Sequence, residues 1–235
     1  MAVDKSLVEN ETWDGKWNDL FISYQQDLRH AYYLNALLNS NHSILEIAAG
    51  SFRDMAFLNA LGYDCYGCDF SSKSVQSAKK YFPHLSNKIF ELNAFNLDRI
   101  GKNFDVTYHN GFWVLYEDDE VIRSLFNIQK SITNNFMIIT VHNGHNHNFK
   151  NYFLEKQKLD NLYAIRFFEI DEFLNIFNLS RNDVQIYPVG KAKKSHEDLL
   201  VNANNTNKDE MIKFMKPNDL KLLNTSERLL FLIPI

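Results

Sequence analysis

Glu46 and Asp69 are the two acids of this sequence whose surroundings suggest chemistry. The first sits in a short β-branched apolar run, Ile44-Leu45-Glu46-Ile47, and the second ends the run Tyr63-Asp-Cys-Tyr-Gly-Cys-Asp69. Between them come Ala48, Ala49, Gly50 and Ser51, small residues at which a chain turns sharply and lets a ligand approach its backbone. A carboxylate at a strand end can accept both hydroxyls of a ribose, and such a turn presents backbone N–H groups. His109 and His142 each follow a later apolar run, where an imidazole could take a proton from a substrate near neutral pH.

The elements that must position these groups are local. Phe52, Met55, Ala56, Leu58 and Leu61 recur at helical spacing, and Gly62 is placed to stop the helix. Ser71-Ser72 after Asp69 offers a cap for a further helix. Strand, small-residue turn, helix and acid-ended strand make a nucleotide-binding βαβ unit over 43–70. A dinucleotide fingerprint needs Gly-x-Gly-x-x-Gly, whereas here only Gly50 is present, with Phe52 and Arg53 following, and Glu46 would repel a pyrophosphate.

The string Glu46-Ile-Ala48-Ala-Gly50-Ser-Phe52 resembles the first motif of the class I S-adenosylmethionine (SAM) methyltransferases, with Ala48 and Phe52 standing in for two glycines. The resemblance implies a Rossmann-like α/β fold: a seven-stranded, mostly parallel sheet with a terminal antiparallel strand and helices on both faces. It implies that Glu46, Ala48 and Gly50 face the methionine end of SAM and that Asp69, with Phe70 beside it, holds the ribose. Asn93 and Ala94 fall where the family contacts adenine, with Phe95 packing nearby, and His109-Asn110 where the chain passes the sulfonium and borders the acceptor. The product cofactor would be S-adenosylhomocysteine (SAH).

The chain of 235 residues, 45% hydrophobic and 23% charged, fits one domain with a well-filled core. A net charge of −4 argues against a dedicated nucleic-acid binder. The polar start MAVDKSLVENE and the lack of a bilayer-length apolar run predict a cytoplasmic protein without membrane attachment, a monomer or homodimer. Cys65 and Cys68 lie three apart in a strand, on opposite faces, and are read as buried thiols rather than a metal or redox pair.

In order, residues 1–15 read as an arm without a core and 16–38 as one amphipathic helix within an N-terminal cap over 1–40. Tyr24 and Arg29 on that helix are candidates for the SAM carboxylate or an anionic acceptor. A helix is expected over 71–82, ended by Pro83, with strands over 88–92, 104–108 and 136–141. The acids 117–120 open another helix. His142, Asn143, His145 and His147 form a Gly- and Asn-rich loop, read as substrate-facing, with His142 the favoured base and no metal expected. Tyr116 is a further acceptor contact. Segments 148–170 and 190–225 read as insertions or lids, the latter opening with a basic turn from Lys191, and 228–233 as the final strand.

The expected function is SAM-dependent methyl transfer to an oxygen or nitrogen of a small molecule, for instance a phosphorylated or sugar-pathway metabolite. A non-catalytic binding or regulatory protein of the same fold is the alternative, and a nicotinamide-dependent oxidoreductase the third. Chain length and the His-Asn loop also resemble bacterial methyltransferases of surface-polysaccharide decoration, including capsular phosphoramidate pathways.

Overall fold

The computed structural model describes residues 3–190, 207–213 and 215–235. Seven strands form one sheet in the order β3-β2-β1-β4-β5-β7-β6: β1 Ser43–Ile47, β2 Asp64–Asp69, β3 Ile89–Glu91, β4 Phe104–Asn110, β5 Thr133–His142, β6 Gln185–Val189 and β7 Arg228–Pro234. The pairs among β1 to β5 are parallel, and β7 runs antiparallel between β5 and β6. Parallel strands covered on both faces need continuous apolar runs, and β1 is buried from Ile44 to Ile47. Glu46, in the middle of that run, is the exception a core would not choose.

Helices cover both faces. On one lie α2 Arg29–Leu37, α3 Arg53–Ala60 and α4 Ser72–Tyr81, with α1 Asn10–Tyr24 resting on α4. The opposite face carries α5 Asp119–Ser131 and α7 Ile170–Phe177. The helix α6 His147–Lys156 follows β5, and α8 Lys208–Ile212 packs near α2. Asp118 caps α5 by accepting the Glu120 amide at 2.8 Å, and Asp119 and Glu120 suit its N-terminal dipole. Chain order reverses at β1, which pairs with β2 on one side and β4 on the other, so a crevice opens beyond the carboxyl ends of β1 and β4.

Three expectations are corrected. The single helix over 16–38 is two, because the chain breaks at 25–28, where Asp27 accepts the Arg29 amide at 3.1 Å and starts α2. The arm is not loose. Leu7 is fully buried, Trp13 Nε1 donates to its carbonyl at 2.7 Å, and the Asp4 amide donates to Ala164 O at 3.0 Å. The fourth strand runs on through His109 and Asn110 instead of ending at Tyr108. Cys65 and Cys68 are both buried and free, in separate clusters on the two faces of the sheet. The basic turn from Lys191 lies outside the described residues.

Candidate active site

The turn after β1 takes the left-handed conformation at three alternate residues: Ala48 (φ 51°), Gly50 (φ 54°) and Phe52 (φ 55°). These are the positions at which the resemblance expects glycine. For a residue with a Cβ this conformation costs roughly 1–2 kcal/mol, so Ala48 and Phe52 hold a glycine's backbone under strain. Burial supplies the compensation at Phe52: the ring is fully enclosed, and a Cβ on Gly67 of β2 would stand 2.8 Å from its Cδ1. At Gly50 no side chain is admissible, since a Cβ would stand 2.5 Å from Trp17 Cζ2.

Asp69 ties this turn to the next helix. Its Oδ2 accepts the Gly50 amide at 2.8 Å and its Oδ1 the Ser71 amide at 2.9 Å, while the Ser74 hydroxyl donates to Gly50 O. Burial raises the Asp69 carboxyl to about 6 despite these donors. Glu46 Oε2 accepts the Met55 amide at 3.0 Å, in the first turn of α3. Burial, then the charge of Asp54, raises the Glu46 carboxyl well above its ordinary value. Both carboxylates keep lone pairs to spare.

The turn, α1 and the strand ends enclose a cavity of about 670 Å³. Its walls include Glu46, Ala48, Gly50, Asp69 and Phe70 at one end, and Asn93, Ala94 and Phe95 beside them. Asn93 Oδ1 accepts the Phe95 amide at 3.0 Å, ordering that corner. Asn110, Tyr24, Tyr116 and His142 also line the cavity. Among the lining residues that the sequence did not assign to a site are Trp17, Arg53, Asp54 and Arg228. Arg53 Nη1 donates to Tyr24 O at 2.5 Å, and its Nε lies 3.5 Å from Asp54 Oδ1. Asp54 Oδ2 meets His30 Nδ1 at 2.6 Å, and His30 Nε2 lies 3.0 Å from Thr140 Oγ1, all buried. Burial alone would raise Asp54, but His30 and Arg53 hold it below the ordinary carboxylate value. Asp14 of α1 accepts the Ser71 hydroxyl at 2.5 Å and the Lys73 amide at 3.2 Å, fastening the helix that carries Trp17 and Tyr24 over the cavity.

Four expected site residues are placed elsewhere. His109 does not line the cavity. It is fully buried against Phe112 and Trp113, both ring nitrogens lack partners, and burial lowers it to about 3. Asn143 is buried and structural: its amide donates to Leu223 O, Ser226 O and Ser226 Oγ, and its Oδ1 accepts the His145 amide. The His145 ring accepts the Ile170 amide at 3.1 Å, capping α7. Arg29 is absent from the cavity wall. Among the described residues no group of three His, Cys, Asp or Glu side chains is placed to hold a metal.

His142 ends β5 opposite Arg228, the first residue of β7. Its ring stacks on Phe149 at 5.8 Å and meets the edges of Phe153 and Phe167 at 5.2 and 5.4 Å. Its Nδ1 is enclosed without a partner. Burial, then the Arg228 charge, lowers it well below 6.5, so it is a neutral base at physiological pH. Burial also lowers the Arg228 guanidinium to about 10, which leaves it cationic.

No protein-family model matches this sequence, and neither does any curated protein sequence. The fold, by contrast, matches many solved structures. The plantazolicin methyltransferase BamL, solved with a triazolic desmethylplantazolicin analogue and SAH, superposes with a TM-score of 0.64 at 16% identity over 97% of this chain and 95% of its own. Magnesium protoporphyrin IX methyltransferase from Synechocystis PCC 6803, with bound SAM, gives 0.59 at 12% identity over 99% and 98%. A SAM-dependent methyltransferase from Thermotoga maritima, described as a possible histamine N-methyltransferase, gives 0.59 at 11% identity over 94% of each. The described residues therefore have the class I methyltransferase fold.

Proposed function

We propose that this chain is a SAM-dependent methyltransferase acting on an oxygen or nitrogen of a small molecule. The observation that carries the reading is the constellation of Glu46, the left-handed turn 48–52 and Asp69, all opening on one cavity at the crevice where the strand order reverses. The residues fit SAM. Asp69, already holding two backbone amides, has lone pairs left for ribose hydroxyls, and Glu46 with Asp54 gives a cation two buried acids. Asn93, Ala94 and Phe95, which line the cavity, would offer adenine an amide edge and an aromatic face, and Asn110, also on its wall, would border the acceptor. When bound, the cofactor supplies an electrophilic methyl carbon on a sulfonium.

The chain's own contribution is alignment and water exclusion, the main source of rate in an in-line displacement. Trp17 on Gly50 and the clamp of Asp14 on Ser71 close the cofactor end. His142 is the base for an acceptor that must lose a proton, and Tyr116 and Tyr24 are the polar edges that orient it. A narrower role in surface-polysaccharide decoration rests on chain length and the His-Asn loop alone. The non-catalytic alternative draws on Ala48 and Phe52, yet both hold the turn in the conformation a glycine would take.

Calorimetric titration of the purified protein with SAH and with NAD tests the reading. Saturable binding of SAH with none of NAD is expected. The reverse pattern would transfer the protein to the oxidoreductases. Transfer of label from methyl-labelled SAM to a metabolite pool then separates enzyme from binding protein.

A further inference from the structure

We propose that Arg228 anchors an anionic oxygen group, carboxylate or phosphate, on an otherwise apolar methyl acceptor. This deepens the methyl-transfer reading and rests on it. Arg228 opens β7 and pairs in register with His142, the base assigned above. From β1 the sheet continues through β4 and β5 to β7, while Asp69 on β2 and Asn93 after β3 lie in the other direction. At about 4.8 Å per strand, the β7 backbone stands roughly 14 Å from β1, on the side away from the ribose and adenine contacts. Arg228 therefore belongs to the acceptor half of the cavity.

The two arginines of the cavity wall are unequally committed. Arg53 is engaged by Tyr24 O and Asp54. The Arg228 guanidinium forms no hydrogen bond or ion pair within the described residues. Its Nη1 is enclosed without a partner, the Phe149 ring lies 5.8 Å away, and the charges of Glu227, Asp27 and Arg53 act on it without a hydrogen bond. An enclosed guanidinium is unfavourable until an anion occupies its planar fork, and the pair is then strong and directional. The neighbouring wall, made by Phe153, Leu162, Tyr163 and Ile165, offers the rest of the acceptor apolar and aromatic surface. A neutral acceptor would leave the guanidinium unmatched, whereas an aryl or alkyl oxyanion satisfies both parts of this half-site.

The test uses the full-length protein saturated with SAH, wild type and the variants Arg228→Gln and Arg228→Lys. Each is titrated calorimetrically with benzoate, indole-3-acetate and phenyl phosphate, and with their neutral counterparts benzamide, indole-3-acetamide and phenol. At least one anion is expected to bind wild type tenfold or more tightly than its neutral partner. That preference should vanish in Arg228→Gln and return in part in Arg228→Lys, with the affinity for SAH unchanged in both. The carboxylate and phosphate arms identify which oxyanion fits. Equal binding of charged and neutral partners, no binding of any anion, or a preference that survives in Arg228→Gln would overturn the proposal. A tenfold loss of SAH affinity in Arg228→Gln would overturn it too, by assigning the guanidinium to the cofactor. Failure of wild type to bind SAH at all would instead remove the methyl-transfer reading beneath it.

Discussion

Asp69 accepts the amide of Gly50 at 2.8 Å, so one carboxylate both shapes the turn after β1 and faces the cavity that turn encloses. Replacing it does two things at once. Asp69→Ala leaves the buried Gly50 and Ser71 amides without acceptors, at about 1–3 kcal/mol each, and also removes the proposed ribose acceptor. The alanine variant is expected to melt several degrees lower and to lose most SAH affinity. Asp69→Asn, which keeps one acceptor oxygen, should fall between it and wild type. Melting curves and SAH calorimetry on the same preparations check this. An alanine variant equal to wild type in both would remove Asp69 from the site.

The same carboxyl predicts a pH dependence. Folding raises Asp69 from 3.8 to about 6, so the folded chain binds a proton more readily than the unfolded one. The stability this group contributes is complete below about pH 4 and is lost as pH rises through about 6. Ribose hydroxyls donate to the ionised form, so cofactor affinity should rise with pH through about 6. Below that, binding should release protons, seen as a calorimetric heat that varies with the buffer's ionisation enthalpy. Glu46, also raised by burial, acts in the same direction, so Asp69→Asn should reduce the release without abolishing it.

Phe52 and Gly67 form a packing pair across the βαβ unit. Phe52→Gly relieves a left-handed residue, worth roughly 1–2 kcal/mol, but removes a fully buried ring, which costs about 3–5 kcal/mol. Net destabilisation is expected despite the return of a glycine. Gly67→Ala should also destabilise by overpacking, at about 1–3 kcal/mol. Urea melts decide it: a Phe52→Gly protein more stable than wild type would refute the compensation.

His142 is expected to behave as an already deprotonated base. Its acid limb in a kcat profile should lie well below pH 6.5, leaving activity flat through neutrality, because burial and Arg228 both oppose its protonation. His142→Ala should lower kcat by about 100-fold with SAH affinity retained. His109→Ala, by contrast, should act on stability through a lost core ring. A rate that falls with His109→Ala but not with His142→Ala would reverse this assignment.

What was legible in the sequence was what is local. Glu46, Gly50 and Asp69 fall within one strand-turn-helix-strand unit whose periods of two and 3.6 can be read over short windows. The antiparallel last strand was what the family resemblance implied, and β7 takes that position between β5 and β6. The role of His109 was not legible, because two more residues of β4 carry it into the core rather than into a loop. Arg228 was not legible either: its meaning comes from pairing with His142, far away in the chain. The Asn143 amide likewise looked like a ligand until Ser226, also remote, took it.

The left-handed turn at Ala48 and Phe52 has a consequence for how such chains are found. A pattern written in letters asks for glycine at these positions and passes over this sequence, although both residues hold a glycine's backbone angles. The turn here is defined by its torsions, and the neighbouring strand makes room at Gly67 for the Phe52 side chain. Relatives that carry bulky residues in the same turn should therefore be sought by a compensating small residue on β2, where Gly67 stands, rather than by glycines in the turn itself.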